Sequence, residues 1–217
     1  MEELSQPTTI GVEAYVSPEY ARAERDRLWR KVWQQVGRVE ELPEIGSYLT
    51  YDILDDSIIV VRTGPSEFAA HHNVCMHRGR RLIDTPEGAK NACGRTPKSF
   101  VCGFHGWTYG LDGACTHIRE QDDWQGALTP QNTHLAPVRV DTWGGWLFIN
   151  MDPDCEPLAD HLFPAAKILD PFQLDRMRYK WRKWLNFDCN WKVAMEAFNE
   201  TYHVFTTHPE FNRFGEF

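Results

Sequence analysis

The chain has 217 residues, 42% of them hydrophobic and 25% charged, with nine tryptophans, enough to fill one large domain or two modest ones. Acidic side chains (31) outnumber basic ones (23), and the net charge of −8 argues against a nucleic-acid binder and fits a small-molecule enzyme or redox protein. No apolar run approaches membrane-spanning length, and Met-Glu-Glu-Leu-Ser-Gln-Pro is not a signal peptide, so a cytoplasmic location away from membranes is expected.

In chain order, residues 1–16 read as a loose lead-in. Ser17-Pro18-Glu19 then opens a helix, with Ser as N-cap, Pro at the first position and an acid in the first turn. The pattern predicts that this helix runs to about Val36, burying Leu28, Trp29, Val32 and Trp33, and stops at Gly37. From about 44 to 152 the pattern changes to short strands between Gly, Pro and Asp turns. The candidates are Ser47–Tyr51, Ser57–Arg62, Phe68–Val74, Ser99–Cys102, Trp107–Tyr109, Pro137–Asp141 and Trp146–Met151. Gly110-Leu111-Asp112-Gly113 reads as a hairpin turn, and Met151-Asp152-Pro153-Asp154 ends the region. A helix broken at Pro164 is expected over Pro157–Leu169, and a Trp-rich, basic strand over Arg178–Asp188. A second helix is expected from about Asn190 to Thr207, ended by Pro209, which disfavours helix at His208. No internal repeat or low-complexity tract is present.

The six cysteines, at 75, 93, 102, 115, 155 and 189, are too sparse for a disulfide scaffold. Cys75-Met-His77 and Cys102-Gly-Phe-His105 each present one thiol and one imidazole on a tight loop. Gly79 follows the first pair, and Gly103 and Gly106 flank the second. Two cysteines and two histidines suit either zinc or a [2Fe–2S] cluster in which two His replace two Cys on one iron.

Cys75-Met-His77-Arg78-Gly79 followed by Cys102-Gly-Phe-His105-Gly106-Trp107 resembles the Rieske motif of ring-hydroxylating oxygenase α subunits. The resemblance implies that Cys75 and Cys102 hold one iron of a [2Fe–2S] cluster and that His77 and His105 hold the other. Rieske proteins of respiratory cytochrome complexes add two cysteines that form a disulfide beside the cluster. The matching positions here are Arg80 and Phe104, which favours the low-potential oxygenase or ferredoxin type. The stretch between His77 and Cys102 is longer by several residues than in most of the family. The extra length is expected in Thr85–Lys98, a loop in which Cys93 is incidental and not a fifth ligand. Such an insertion costs roughly 0.6 kcal/mol per doubling of loop length.

Glu200 and His203 lie three apart and share a face of the second helix, whereas His203 and His208 lie five apart, about 140° around an ideal helix. For both imidazoles to meet one ion, the helix must end, loosen or bulge between them. The segment, including Asn190-Trp191-Lys192, resembles the mononuclear-iron helix of the same α subunits. The resemblance makes His203 and His208 two ligands of a 2-His-1-carboxylate site for Fe(II), with positions open for O2. It makes Glu200 the carboxylate that bridges the cluster of one subunit to the iron of its neighbour. Naphthalene-type dioxygenases usually carry Asp there, and Glu is similar to other branches, including quaternary-amine oxygenases. Tyr202 is expected to pack or to support the ligands. The family's third iron ligand is a downstream Asp; Asp170, Asp175 and Asp188 do not match it, so the iron site is expected to be incomplete in this chain, a fragment or truncated product.

The resemblance thus implies an α+β chain: a segment over 1–43 with a helix packing on the catalytic domain, an antiparallel β Rieske domain over 44–155, and the start of a helix-grip (START/Bet v1-like) catalytic domain over 156–217. It implies an enzyme that takes electrons from a ferredoxin or flavin reductase and uses O2 to hydroxylate an aromatic or related organic substrate, as a homotrimer or α3β3 assembly. Two alternatives remain. A Rieske ferredoxin would be an electron carrier of about half this length, lacking the Glu200/His203/His208 helix. A zinc-stabilised interaction module would be colourless.

Overall fold

A computed structural model describes Thr9 and residues 11–213, Asn212 by its backbone alone. Most of the expected lead-in therefore lies outside the described residues, and within the rest of it Glu13–Val16 forms a short helix, α1. Helix α2 (Pro18–Glu24) begins as expected: Ser17 Oγ accepts the Tyr20 N–H at 3.3 Å, and Glu19 pairs with Arg22 one turn later.

The helix does not continue to Val36. It ends at Glu24, a π turn covers Arg25–Trp29, and Gln34–Arg38 is a strand, β1. Val32 and Val36 have helical spacing, but Val36 sits at a bulge between Gln35 and Gly37 in a strand whose other residues pair with Trp146 to Ile149. Tertiary hydrogen bonding outweighs the weak helical preference here. Trp33 is buried, whereas Leu28, Trp29 and Val32 are only half-buried.

The remaining strands are β2 (Ser47–Ile53), β3 (Asp56–Arg62), β4 (Phe68–His72), β5 (Cys93–Arg95), β6 (Ser99–Val101), β7 (Thr108–Gly110), β8 (Cys115–His117), β9 (Pro137–Trp143) and β10 (Trp146–Asn150). All seven expected strands of the 44–152 region are present, and β7 and β8 are joined through the expected Gly110–Gly113 turn. The expected loop at Thr85–Lys98 contains β5, which pairs with the edge of β2 and puts Cys93 in a strand. Thr50 ties the approach to this strand by exchanging two bonds with Ala92, each 2.8 Å.

Two antiparallel sheets result, ordered β1-β10-β9-β4-β3-β2-β5 and β6-β7-β8. The apolar run Ile58-Ile59-Val60-Val61 of β3 is fully buried on both faces. Ile58 and Val60 enter a core with Leu42, Leu49, Leu147 and Ile149, while Ile59 and Val61 point the other way onto Phe100 of β6. That second contact packs the small sheet against the large one. The chain is an antiparallel α+β fold.

Helices α3 (Pro130–Thr133) and α4 (Leu158–Leu169) follow. Pro164 lies inside α4 without breaking it. Residues 178–188 form no strand among the described residues; the alternation of Trp181 and basic residues finds no ladder partner. The expected helix over Asn190–Thr207 is two pieces, α5 (Trp191–Glu196) and α6 (Val204–Thr207), separated by turns.

By contacts the chain divides into two compact units, Leu28–Arg182 and a second built from the segments before Leu28 and after Arg182. In the second unit, Asn190 caps α5 through Lys192 N–H and donates to Tyr15 O at 3.0 Å. Lys192 Nζ meets Glu24 at 2.7 Å, 5.0–5.5 Å from the rings of Tyr15, Tyr20 and Trp191. Among the described residues, no helix is long and apolar enough to cross a membrane.

Candidate metal centres

The two Cys–His segments adopt the same loop. Cys75 N–H donates to Arg80 O (2.7 Å) and Gly79 N–H to Cys75 O (2.9 Å); Cys102 N–H donates to Trp107 O (2.8 Å) and Gly106 N–H to Cys102 O (3.0 Å). Gly79 and Gly106 occupy the same place in each loop, with φ of 72° and 74°. Neither would meet another atom through an added Cβ, so the backbone conformation, not space, requires glycine. One loop leaves β4 of the large sheet and the other leaves β6 of the small one, so the packing of the sheets brings them together.

Asn73 fixes the first loop from behind. It is buried, and its side chain donates to Ser57 Oγ (3.0 Å) and Ile83 O (2.7 Å) while accepting the N–H groups of Leu82 and Ile83 (both 3.0 Å). Four bonds satisfy the whole amide. Sequence reasoning missed this residue; an Asn between a strand and a candidate Cys ligand was its only signal.

The four side chains divide by environment. Cys75 and Cys102 are 2% and 3% exposed, in an apolar cluster with Trp107, Tyr109 and Leu135. His77 and His105 are half-buried, 4.6 Å apart between ring centroids, and line an open recess of about 450 Å³. Burial pushes the Cys75 thiol pKa up, opposed by a hydrogen bond from Tyr109 that favours thiolate. Tyr109 Oη lies 3.2 Å from Cys75 Sγ and accepts Met76 N–H at 3.1 Å, which leaves its own proton for the sulfur. Burial also raises the pKa of Tyr109, keeping it a donor. His77 is held below its ordinary pKa by burial, by His105 and by Arg78, which favours the neutral imidazole that ligates metals.

His105 Nδ1 is buried with no hydrogen-bond partner, which fits a metal ligand. Among the described residues, no three His, Cys, Asp or Glu side chains converge on one point. Two thiols in the apolar cluster and two imidazoles at the recess are a donor set that fits two irons with two protein ligands each.

In the second unit, His203 and His208 sit at the two ends of the four-residue helix α6, with ring centroids 5.6 Å apart. Helix α6 ends at Thr207, and the non-helical backbone of His208 removes the angular problem that a continuous helix would pose. Glu200 accepts the His203 backbone N–H (3.1 Å) and bonds His203 Nδ1, leaving Nε2 for another partner. The His203 bond holds the Glu200 carboxyl below its usual pKa. Tyr202 is 87% exposed, so its ring is not packed into a core.

Residues 32–142 match the family model of the Rieske [2Fe-2S] domain, and residues 174–217 that of the ring hydroxylating alpha subunit (catalytic domain). The chain belongs to the family of Rieske oxygenase α subunits. The two domains imply a Rieske cluster and a mononuclear iron. Among similar curated proteins is a chloroplastic choline monooxygenase of Beta vulgaris, 32% identical over 93% of this chain and 44% of its own length. Among solved structures, the quaternary ammonium Rieske monooxygenase CntA in complex with L-carnitine superposes with a TM-score of 0.83 at 26% identity, covering 94% of this chain and 56% of the other. Naphthalene 1,2-dioxygenase from a Rhodococcus species gives 0.75 at 28% identity, covering 94% and 46%. The chain spans about half the length of the curated relatives it matches.

Proposed function

We propose that Cys75 and Cys102 hold one iron of a [2Fe–2S] cluster, that His77 and His105 hold the other, and that His203 and His208 are two ligands of a mononuclear Fe(II). The observation that carries this reading is the division of the first four donors: thiols inside an apolar cluster, imidazoles at the recess, each pair on its own matched loop. When bound, the cluster would supply electrons singly and the iron would supply a site for O2 activation. The chain's own residues hold these donors ready. Tyr109 directs a proton at Cys75 Sγ, Asn73 fixes the loop carrying Cys75, and Glu200 sets the ring of His203.

The reaction we propose is monooxygenation of a small quaternary ammonium compound. The choline- and carnitine-oxidising relatives support this, as does Glu200 at the position where naphthalene-type enzymes usually carry Asp. Aromatic-ring dioxygenation is the second reading, favoured by the likeness to naphthalene dioxygenase. A flavin or ferredoxin reductase would be the electron donor, and a homo-oligomer the working assembly.

The test is anaerobic reconstitution with iron and sulfide, then spectroscopy. A red-brown chain with an EPR signal on dithionite reduction is expected; a colourless, EPR-silent chain would mean zinc and overturn the assignment. With a reductase supplied and the chain extended to carry the third iron ligand, O2 uptake on adding choline or carnitine, but not naphthalene, is the expected substrate pattern.

A further inference from the structure

The His77 ring is enclosed by aromatic surface on two sides. Trp107 stacks on it at 5.2 Å with an interplanar angle of 7°. Trp124 stands edge-on to His77 (5.9 Å, 80°) and edge-on to Trp107 (6.0 Å, 73°), so the three rings form a corner. Trp107 is a core residue from the loop after Cys102, whereas Trp124 arrives from a separate segment and lines the recess at 39% exposure.

The segment bearing Trp124 is unusual. It is a single 3-10 turn, Gln121–Trp124, flanked by Glu120 and Gln125, both with left-handed backbone at φ of 54° and 50°. They are two of four such non-glycine residues among the described residues. Left-handed backbone at residues with a Cβ persists where surrounding contacts over-determine it. The turn is acidic and exposed, Trp124 included, and the contacts of the indole edge with His77 and Trp107 are what the bent backbone delivers.

We propose that Trp124 is a positioning residue for the cluster: with Trp107 it forms a two-sided aromatic bracket that fixes the plane of the His77 imidazole and keeps water from its open edge. This rests on the reading of His77 as a cluster ligand. Trp107 supplies the rigid wall and Trp124 the outer one.

The experiment compares the reconstituted, dithionite-reduced full chain with Trp124→Ala and Trp124→Phe. Pulsed EPR reads the nitrogen hyperfine couplings of the two histidines and, after exchange into D2O, the deuterium modulation. The inference predicts that Trp124→Ala loses the narrow coupling of one histidine and gains deuterium modulation at unchanged iron and sulfide content. Trp124→Phe, which keeps an aromatic edge, should restore both. Wild-type couplings and modulation in Trp124→Ala, or equal perturbation in both variants, overturn the bracket. Should Trp124→Ala not take up the cluster, Trp124→Leu, which fills part of the space without a ring, replaces it and must show the same two changes. A wild-type chain without a Rieske signal is a different failure, since it removes the cluster assignment itself.

Discussion

Tyr109 Oη lies 3.2 Å from Cys75 Sγ and accepts Met76 N–H, so against a thiolate sulfur, which has no proton to give, Tyr109 is the donor. A donor on a cluster sulfur stabilises the more negative, reduced state. Tyr109→Phe should therefore lower the midpoint potential by tens of millivolts, given about 59 mV per 1.4 kcal/mol for one electron. Protein-film voltammetry of the reconstituted chain measures it, and an unchanged potential would show that the hydroxyl serves packing alone.

Asn73 closes four hydrogen bonds around the first Cys–His loop. At about 1 kcal/mol for each bond, with buried partners left unpaired, Asn73→Ala should cost on the order of 4 kcal/mol. A urea melt gives the number, and a loss below about 1 kcal/mol would mean the loop re-forms its bonds elsewhere.

His71 and His72 of β4 are both held below the ordinary histidine pKa, chiefly by burial. Their folded pKa values lie beneath the unfolded value of about 6.5, so in that window the unfolded chain binds more protons. Stability is therefore highest above pH 6.5 and falls as the pH drops through it. His71 Nε2 bonds Leu111 O, and His71→Gln retains polarity without the titration. Urea midpoints at pH 7.5 and 5.5 should differ less in His71→Gln than in the parent; an equal difference would place the acid sensitivity elsewhere.

Lys192 and Glu24 form an ion pair whose side chains are only 15% and 13% exposed. Removing one partner of a buried pair strands the other, at roughly 3–5 kcal/mol for full burial. Lys192→Met should accordingly speed amide exchange in Trp191–Glu196, the helix this pair holds against α2, and unchanged protection there would refute the role.

Glu200 grips His203 through both backbone N–H and ring nitrogen. Loss of such an orienting partner typically weakens metal binding about 10–100-fold, so Glu200→Ala should raise the Fe(II) dissociation constant by that factor. Anaerobic titration of the chain reads it, and equal affinity in both would leave the carboxylate no orienting part.

The sequence by itself determined seven of the nine strands of the 44–152 region, missing the three-residue β5 and β8, because alternating side chains and Gly, Pro and Asp turns are local signals. It also determined the loop residues, since glycine adopts without steric cost the positive φ that Gly79 and Gly106 share. Tertiary structure decided where local preference was weak. Gln34–Arg38 is a strand because β10 offers a ladder, and residues 178–188 are not a strand because none of the described residues offers one. The partition of the four donors, thiols inward and imidazoles outward, also comes from packing: a strand end from each sheet meets only once Ile59 and Val61 have seated Phe100. The bracket of Trp107 and Trp124 on His77 has no sequence signature, because its two walls come from separate segments whose approach no local spacing encodes.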